Sequence, residues 1–157
     1  MSALAPENVW DYPRPPRLEP VPERLLVRHG GETVAETTAG YRVLETSHPP
    51  TYYFPPIDVR ADLVPARGAT FCEFKGRAAY VDVLVAGPRL PRAAWCYPDP
   101  VPAFRTIAGY FCFYPSRFEE CRVGDMVATA QASDFYGGWV TANLSGPFKG
   151  PPGTMGW

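Results

Sequence analysis

The sequence predicts an all-β (mainly β) protein of small antiparallel sheets with little helix. Proline and glycine supply 20 and 14 of the 157 residues. No stretch longer than about ten residues keeps a helical apolar period without such a break, which excludes long helices. Aromatic residues make up 14% of the chain and supply a core that a disordered chain lacks. Short strands joined by stiff turns satisfy these observations, and a chain of 157 residues suits one domain.

The chain begins with a proline-rich segment, residues 1–23, that contains the run YPRPPR. Such a run favours an extended, polyproline-like arm. The domain proper, residues 24–130, opens with two strands over 24–29 and 32–37, because the Gly30-Gly31 pair between them is typical of a hairpin turn. A third strand over 41–46 places Tyr41, Val43 and Glu45 on one face and Arg42, Leu44 and Thr46 on the other.

The second half of the domain contains further strand signals. The run 106–114 is apolar and aromatic and predicts a buried central strand. Lys75-Gly76 and Gly124-Asp125 each separate two apolar runs, which indicates two more hairpins. The predicted strands of this half are 70–74, 77–84, 93–97, 106–114, 120–123 and 126–130.

Residues 131–157 are again rich in glycine, proline and aromatic side chains. They predict a C-terminal arm that packs on the domain or on a partner subunit. Two ordered arms around a small β body favour a homodimer joined through the arms.

Charge and composition exclude several function classes. The net charge is −1, and the arginines are scattered, so no basic face for nucleic acid or for an anionic membrane is expected. No run of about 20 apolar residues predicts a membrane span, and the N-terminal residues do not resemble a signal peptide. The four cysteines lack C-x-x-C spacing, so we expect no metal and no cofactor. Free thiols indicate a cytoplasmic protein.

Four polar residues near the predicted strands are candidates for chemistry: Glu45, His48, Cys72 and Lys75. Glu45 can act as a general base or pair with Arg42 or Lys75, and His48 can carry a proton or hold a ligand. Lys75 can lower the pKa of the Cys72 thiol and make it a nucleophile, or can itself act as the amine nucleophile. Each has a plain structural alternative: core filler for the cysteine, a solvated turn for the lysine, an ion pair for the glutamate and a turn-stabilising donor for the histidine.

Aromatic side chains near these groups predict a pocket. Strand spacing can place them in the core or around a ligand. The candidate ligand-binding residues are Arg42, Tyr53, Tyr80, Trp95, Tyr97 and Tyr110.

Several spaced motifs in this order resemble those of the domain of unknown function four-two-seven family, which is also labelled nucleotidyltransferase-like. The resemblance covers about residues 25–127. The motifs are Arg42-x-x-Glu45-x-x-His48-Pro49, Thr70-x-Cys72-x-x-Lys75-Gly76-x-Ala78-x-Tyr80, Ala94-Trp95-x-Tyr97 and Gly109-Tyr110-x-x-Phe113-Tyr114.

The resemblance implies a small β-tent fold, like that of methionine sulfoxide reductase B. Relatives with that fold commonly hold zinc through two C-x-x-C pairs, which this sequence lacks, so no zinc is predicted. Nucleotidyl transfer needs grouped carboxylates that hold two metal ions about 4 Å apart. The sequence has no D-x-D pair and no glycine-rich phosphate loop, so its residues do not support that label.

Three functions remain open from the sequence. The first is a small-molecule-binding β domain, with the aromatic residues around an apolar group and the polar residues at its ends. The second is a small enzyme that uses Glu45 or His48 for proton transfer and Cys72 or Lys75 as nucleophile. The third is a protein-interaction module that uses the arms, in which Glu45, His48, Cys72 and Lys75 would not converge.

Overall fold

The computed structural model describes residues 4–72, 74–85, 87–133 and 135–157, and it confirms the all-β class. Regular structure in these residues consists of strands of two to eleven residues and short 3-10 segments. The strands are β1 (Glu7–Asn8), β2 (Arg17–Val21), β3 (Leu25–His29), β4 (Glu32–Thr37), β5 (Gly40–Leu44), β6 (Thr51–Tyr53), β7 (Asp62–Cys72), β8 (Gly76–Leu84), β9 (Arg89–Cys96), β10 (Phe111–Phe113), β11 (Glu120–Val123), β12 (Met126–Val127), β13 (Thr129–Ala130), β14 (Trp139–Val140) and β15 (Leu144–Ser145). The 3-10 turns are Val9–Asp11, Pro56–Asp58, Pro102–Ile107 and Pro115–Arg117.

The strands form several small open sheets. Two sheets have four antiparallel strands, in the orders β10-β9-β8-β7 and β12-β11-β3-β4. A third sheet has the order β2-β5-β6, and the pairs β1-β15 and β13-β14 complete the structure.

The three predicted hairpins are confirmed. Strands β3 and β4 meet at Gly30 and Gly31, which have positive φ values of 60° and 78°. Glycine adopts this region without the steric cost of a side chain. Strands β7 and β8 pair from Asp62 opposite Leu84 to the turn before Gly76, and β11 pairs with β12 around Gly124.

The predicted central strand over 106–114 is wrong. The first part of this run belongs to the 3-10 turn Pro102–Ile107, and only Phe111–Phe113 forms a strand, β10, at the edge of its sheet. Gly109, with φ at 74°, separates the two. Ile107 and Phe113 are both fully buried, and burial of this kind produces the same apolar run whether the backbone is extended or turned.

The interior contains two large apolar clusters. The first surrounds Phe54, Phe113 and Trp139, and the Trp139 Nε1–H donates to the Phe113 carbonyl over 3.0 Å. The second is rich in aromatic side chains, including Tyr53 and Trp95. Because the second cluster is open on one side, it forms the floor of the site described below.

The two terminal segments lie against each other within one chain. Strand β1 runs parallel to β15, and the Trp10 and Trp157 rings are 5.4 Å apart. Within residues 1–23, β2 joins β5 in a sheet. Joining of two copies through these segments stays a prediction, which sedimentation equilibrium would test. The described residues include no helix of the length and apolarity that crossing a membrane requires.

Candidate functional site

A cleft with a cavity volume of about 280 Å³ lies where β5, β6, β7, β8 and β9 meet the segment 131–149. The cross-strand pair of Tyr80 and Trp95 lies at its base, and strand alternation adds Ala78 and Tyr97 on the same side. Seven of the residues predicted from sequence border this cleft: Glu45, His48, Tyr53, Lys75, Tyr80, Trp95 and Tyr97.

The walls of the cleft are aromatic. The Trp95 ring lies 4.7 Å from the Tyr114 ring and 6.4 Å from the Tyr53 ring, which it meets edge to face. Tyr53 also packs beside Tyr97 at 6.3 Å. Contacts of this kind hold aromatic rings in fixed orientations, so the walls are a preformed apolar surface.

The phenol groups of two tyrosines are held by hydrogen bonds. The Tyr80 hydroxyl and Thr70 Oγ1 are 2.9 Å apart, and the Arg92 guanidinium lies 4.0 Å from the centre of the Tyr80 ring. The Tyr114 hydroxyl donates to the Phe135 carbonyl over 3.1 Å. Burial and the neighbouring Tyr80 phenol raise the pKa of Tyr114, which therefore stays protonated and keeps the segment around Phe135 on the cleft.

Charged side chains meet at one end of the cleft. The Lys75 Nζ lies 3.7 Å from Glu45 Oε1, and the Arg14 Nε lies 3.6 Å from Glu45 Oε2. Lys75 is 9% exposed, and its carbonyl accepts the Val101 N–H over 2.9 Å. Glu45 thus forms the ion pair with Lys75 that the sequence allowed, and each of its oxygens has a cation nearby.

His48 is fixed by a glutamine of the C-terminal segment. The Gln131 Oε1 accepts the Gly138 N–H, and its Nε2 donates to the Lys149 carbonyl and to His48 Nδ1 over 3.2 Å. An amide nitrogen only donates, so His48 Nδ1 accepts and the ring hydrogen lies on Nε2.

Burial, together with the charges of Lys149, Lys75 and Arg14, lowers the pKa of His48 to about 3. The ring is therefore neutral at physiological pH. It offers one N–H donor, at Nε2, and its Nδ1 acceptor is already used by Gln131.

Arg42 lies outside this cleft, contrary to the expectation for a ligand contact. It donates to Glu7 over 3.0 and 2.9 Å and to Glu19 over 2.7 Å, and the Tyr12 hydroxyl also donates to Glu7. Burial lowers the pKa of the Arg42 guanidinium, but its hydrogen bonds to the two carboxylates and the neighbouring Tyr52 outweigh burial and raise it. Arg42, Glu7 and Glu19 thus connect β5, β1 and β2, and all three border a second cavity.

Two other candidate residues are not brought to the cleft by the described contacts. Tyr110 packs edge to face on Tyr41 at 6.1 Å and is not among the residues that border the cavity. Cys72 ends β7, but its thiol lies outside the described part of the structure.

The other cysteines are free and buried. Burial raises the pKa of the Cys96 thiol, and it raises that of the Cys121 thiol to about 12.

The C-terminal segment supplies cleft residues that sequence reasoning missed. Gln131, Phe135, Tyr136 and Lys149 all border the cavity. The Tyr136 ring lies 5.0 Å from the His48 ring and 5.5 Å from the Lys149 Nζ. One signal was available, because Lys75 and Lys149 are the only lysines of the chain. Over the described residues, no three side chains of His, Cys, Asp or Glu are grouped as metal ligands.

A family model described as a domain of unknown function (DUF427) matches residues 17–124. A link to nucleotidyl transfer appears only in the name of that family model. No curated protein matches this sequence. The matched range contains most of the cleft but ends before the wall formed by residues 131–149.

Proposed function

This chain belongs to the family of domain of unknown function DUF427, and we propose that it binds a small molecule in the aromatic cleft. The convergence of distant residues carries the proposal: Glu45, Lys75, Trp95 and Lys149 border one cavity of about 280 Å³. Ligand sites are concave and largely apolar, with a few placed polar groups. A cavity of roughly 150 Å³ holds benzene, so this cleft has room for a molecule of one or two rings.

The polar groups are better arranged to orient a ligand than to move a proton. An effective general base has a pKa near the working pH, whereas that of His48 is about 3. Both oxygens of Glu45 already face cations. The enzyme alternative, with Cys72 or Lys75 as nucleophile, therefore has less support than binding.

The interaction-module alternative also has less support. That function predicts that the polar candidates lie apart, whereas Glu45, His48 and Lys75 border the same cavity. Within the described part of the chain the exposed large apolar residues are Trp10, Ile57, Val127, Phe135 and Met155, and of these Phe135 borders the cleft.

Thermal unfolding against a library of small metabolites tests the proposal. A ligand at about a hundredfold excess over its Kd stabilises the folded state by about 2.7 kcal/mol. In a domain of this size that raises the Tm by roughly 5–10 °C. Phe135→Ala shortens an exposed wall of the cleft and is expected to raise the Kd of each hit at least fivefold.

Ile57→Ala is the matched control, because Ile57 is 90% exposed and does not border the cleft. Hits that bind Ile57→Ala like wild type and Phe135→Ala more weakly support the cleft. Hits that bind both variants equally, or a library without any hit, would contradict the proposal. Incubation of each hit with the protein, followed by mass spectrometry, then separates a binder from an enzyme.

A further inference from the structure

The chain has only two lysines, and both border the cleft. Lys75 pairs with Glu45, whose second oxygen faces Arg14, so one carboxylate stands between two cations. Lys149 forms no ion pair with any described carboxylate, and its Nζ lies over the Tyr136 ring. Three cations and one carboxylate among the described residues leave a positive excess at this end of the cleft.

Lys149 lies at this end as well, because the Tyr136 ring is 5.5 Å from the Lys149 Nζ and 5.0 Å from the His48 ring. In keeping with this geometry, burial and then the charges of Lys149, Lys75 and Arg14 lower the pKa of His48. All three cations therefore act on the same point of the cleft. Apolar and aromatic surroundings strengthen such interactions, because they lower the local dielectric constant.

We propose that the cleft selects a small aromatic molecule that carries one anionic group, with that group at the end formed by Lys75 and Lys149. The inference rests on the proposed function and names the chemical class of its ligand. The aromatic ring would pack against Trp95 and Tyr136, which border the cleft and each keep part of their surface accessible. Aromatic walls can also attract a cation, but here the two lysines would repel it.

Three compounds with one skeleton test the charge: 3-phenylpropanoate, 3-phenylpropanamide and 3-phenylpropylamine. Protein labelled with ¹³C and ¹⁵N only in lysine gives side-chain NMR signals from Lys75 and Lys149 alone. We expect the carboxylate to shift both sets of signals and to bind at least tenfold more tightly than the amide. The amine is expected to bind more weakly than the amide.

Lys149→Gln removes one charge. It is expected to raise the Kd of 3-phenylpropanoate at least fivefold and to change the Kd of the amide less than twofold. Lys75→Gln should also weaken binding of the carboxylate. It leaves Glu45 with one cation fewer, so this variant could fail to fold, and in that case the result for Lys149→Gln alone tests the proposal. Arg105→Gln, at an exposed arginine that does not border the cleft, controls for the change in net charge and is expected to bind like wild type.

Charge selection would be overturned if the amide or the amine bound as tightly as the carboxylate. In that case binding that still depends on Phe135 would leave the proposed function standing. It would also be overturned if none of the three compounds bound with a Kd below about 10 mM. The same holds if Arg105→Gln raised the Kd of the carboxylate as much as Lys149→Gln. A library screen without any cleft-dependent hit is the separate result that would contradict the proposed function.

Discussion

Substitution of Gly137 by alanine tests whether the C-terminal segment forms a wall of the cleft. A Cβ at this position would lie closer than 3.0 Å to Cη2 and Cζ3 of Trp95 and 3.4 Å from Tyr114 Cδ1. Gly137 does not have a positive φ, so the cost is steric and not conformational. Trp95 is 6% exposed and packed between Tyr53 and Tyr114, so it cannot simply turn away.

Overpacking of this kind costs about 1–3 kcal/mol. For a domain of this size the Tm of Gly137→Ala should fall by roughly 2–12 °C, measured by calorimetry or by circular dichroism. Gly156→Ala is the matched control, since a Cβ there has no atom within 4 Å. It should unfold within about 0.5 kcal/mol of wild type.

A double mutant locates the clash. Trp95→Phe removes both overlapping atoms, so adding Gly137→Ala in that background should cost less than about 0.5 kcal/mol, and the cycle should give a coupling energy above about 1 kcal/mol. If Gly137→Ala is as stable as Gly156→Ala, or equally destabilising with and without the indole, the segment does not lie on Trp95. The C-terminal wall of the cleft, including the place given to Lys149, would then be wrong.

Three further predictions concern protonation and packing. The folded state keeps His48 neutral down to about pH 3, whereas the unfolded chain takes up this proton below about pH 6.5, so stability falls as pH drops through that window. In urea unfolding, lowering the pH from 7.5 to 5.0 should reduce the free energy of unfolding of His48→Gln by about 2 kcal/mol less than that of wild type, and equal reductions would contradict the neutral state of His48. Arg42→Gln removes the cation that two partly buried carboxylates share and should lower the free energy of unfolding by about 1–3 kcal/mol. Arg60→Gln, at a side chain that is 61% exposed, should cost less than about 1 kcal/mol, and equal costs would contradict a structural role for the Arg42 cluster. In a Cys72→Ser background, native protein at pH 7.5 should not react with iodoacetamide while urea-unfolded protein takes up three labels, and labelling of the native form would contradict the burial of Cys96, Cys112 and Cys121.

Sequence reasoning was most successful where a turn residue fixes the backbone locally. The Gly30-Gly31 hairpin follows from conformations that glycine adopts without cost. It failed over 106–114, because an apolar run reports burial and not backbone geometry. The indication of a turn at Gly109 was present in the sequence, and it should have outweighed the length of the run.

The cleft was predictable only in part, because strand alternation fixes a face and not a register. Trp95 and Tyr97 share a face through their spacing alone, but the pairing of Trp95 with Tyr80 depends on a long-range register. The bond between Gln131 and His48 joins residues 83 apart in the chain. No local pattern predicts such a contact, so the residues that form the C-terminal wall were missed.

Arg42 shows which inference from sequence should have had priority. It was grouped with Glu45 because the two are near in sequence, yet alternation along the strand had already put them on opposite faces. In the structure Val43 and Glu45 border the cleft, while Arg42 pairs with Glu7 and Glu19. A candidate site should therefore be assembled first by face and only then by chemistry. Applied with the scarcity of lysine, that order would have retained Lys75, dropped Arg42 and drawn attention to Lys149.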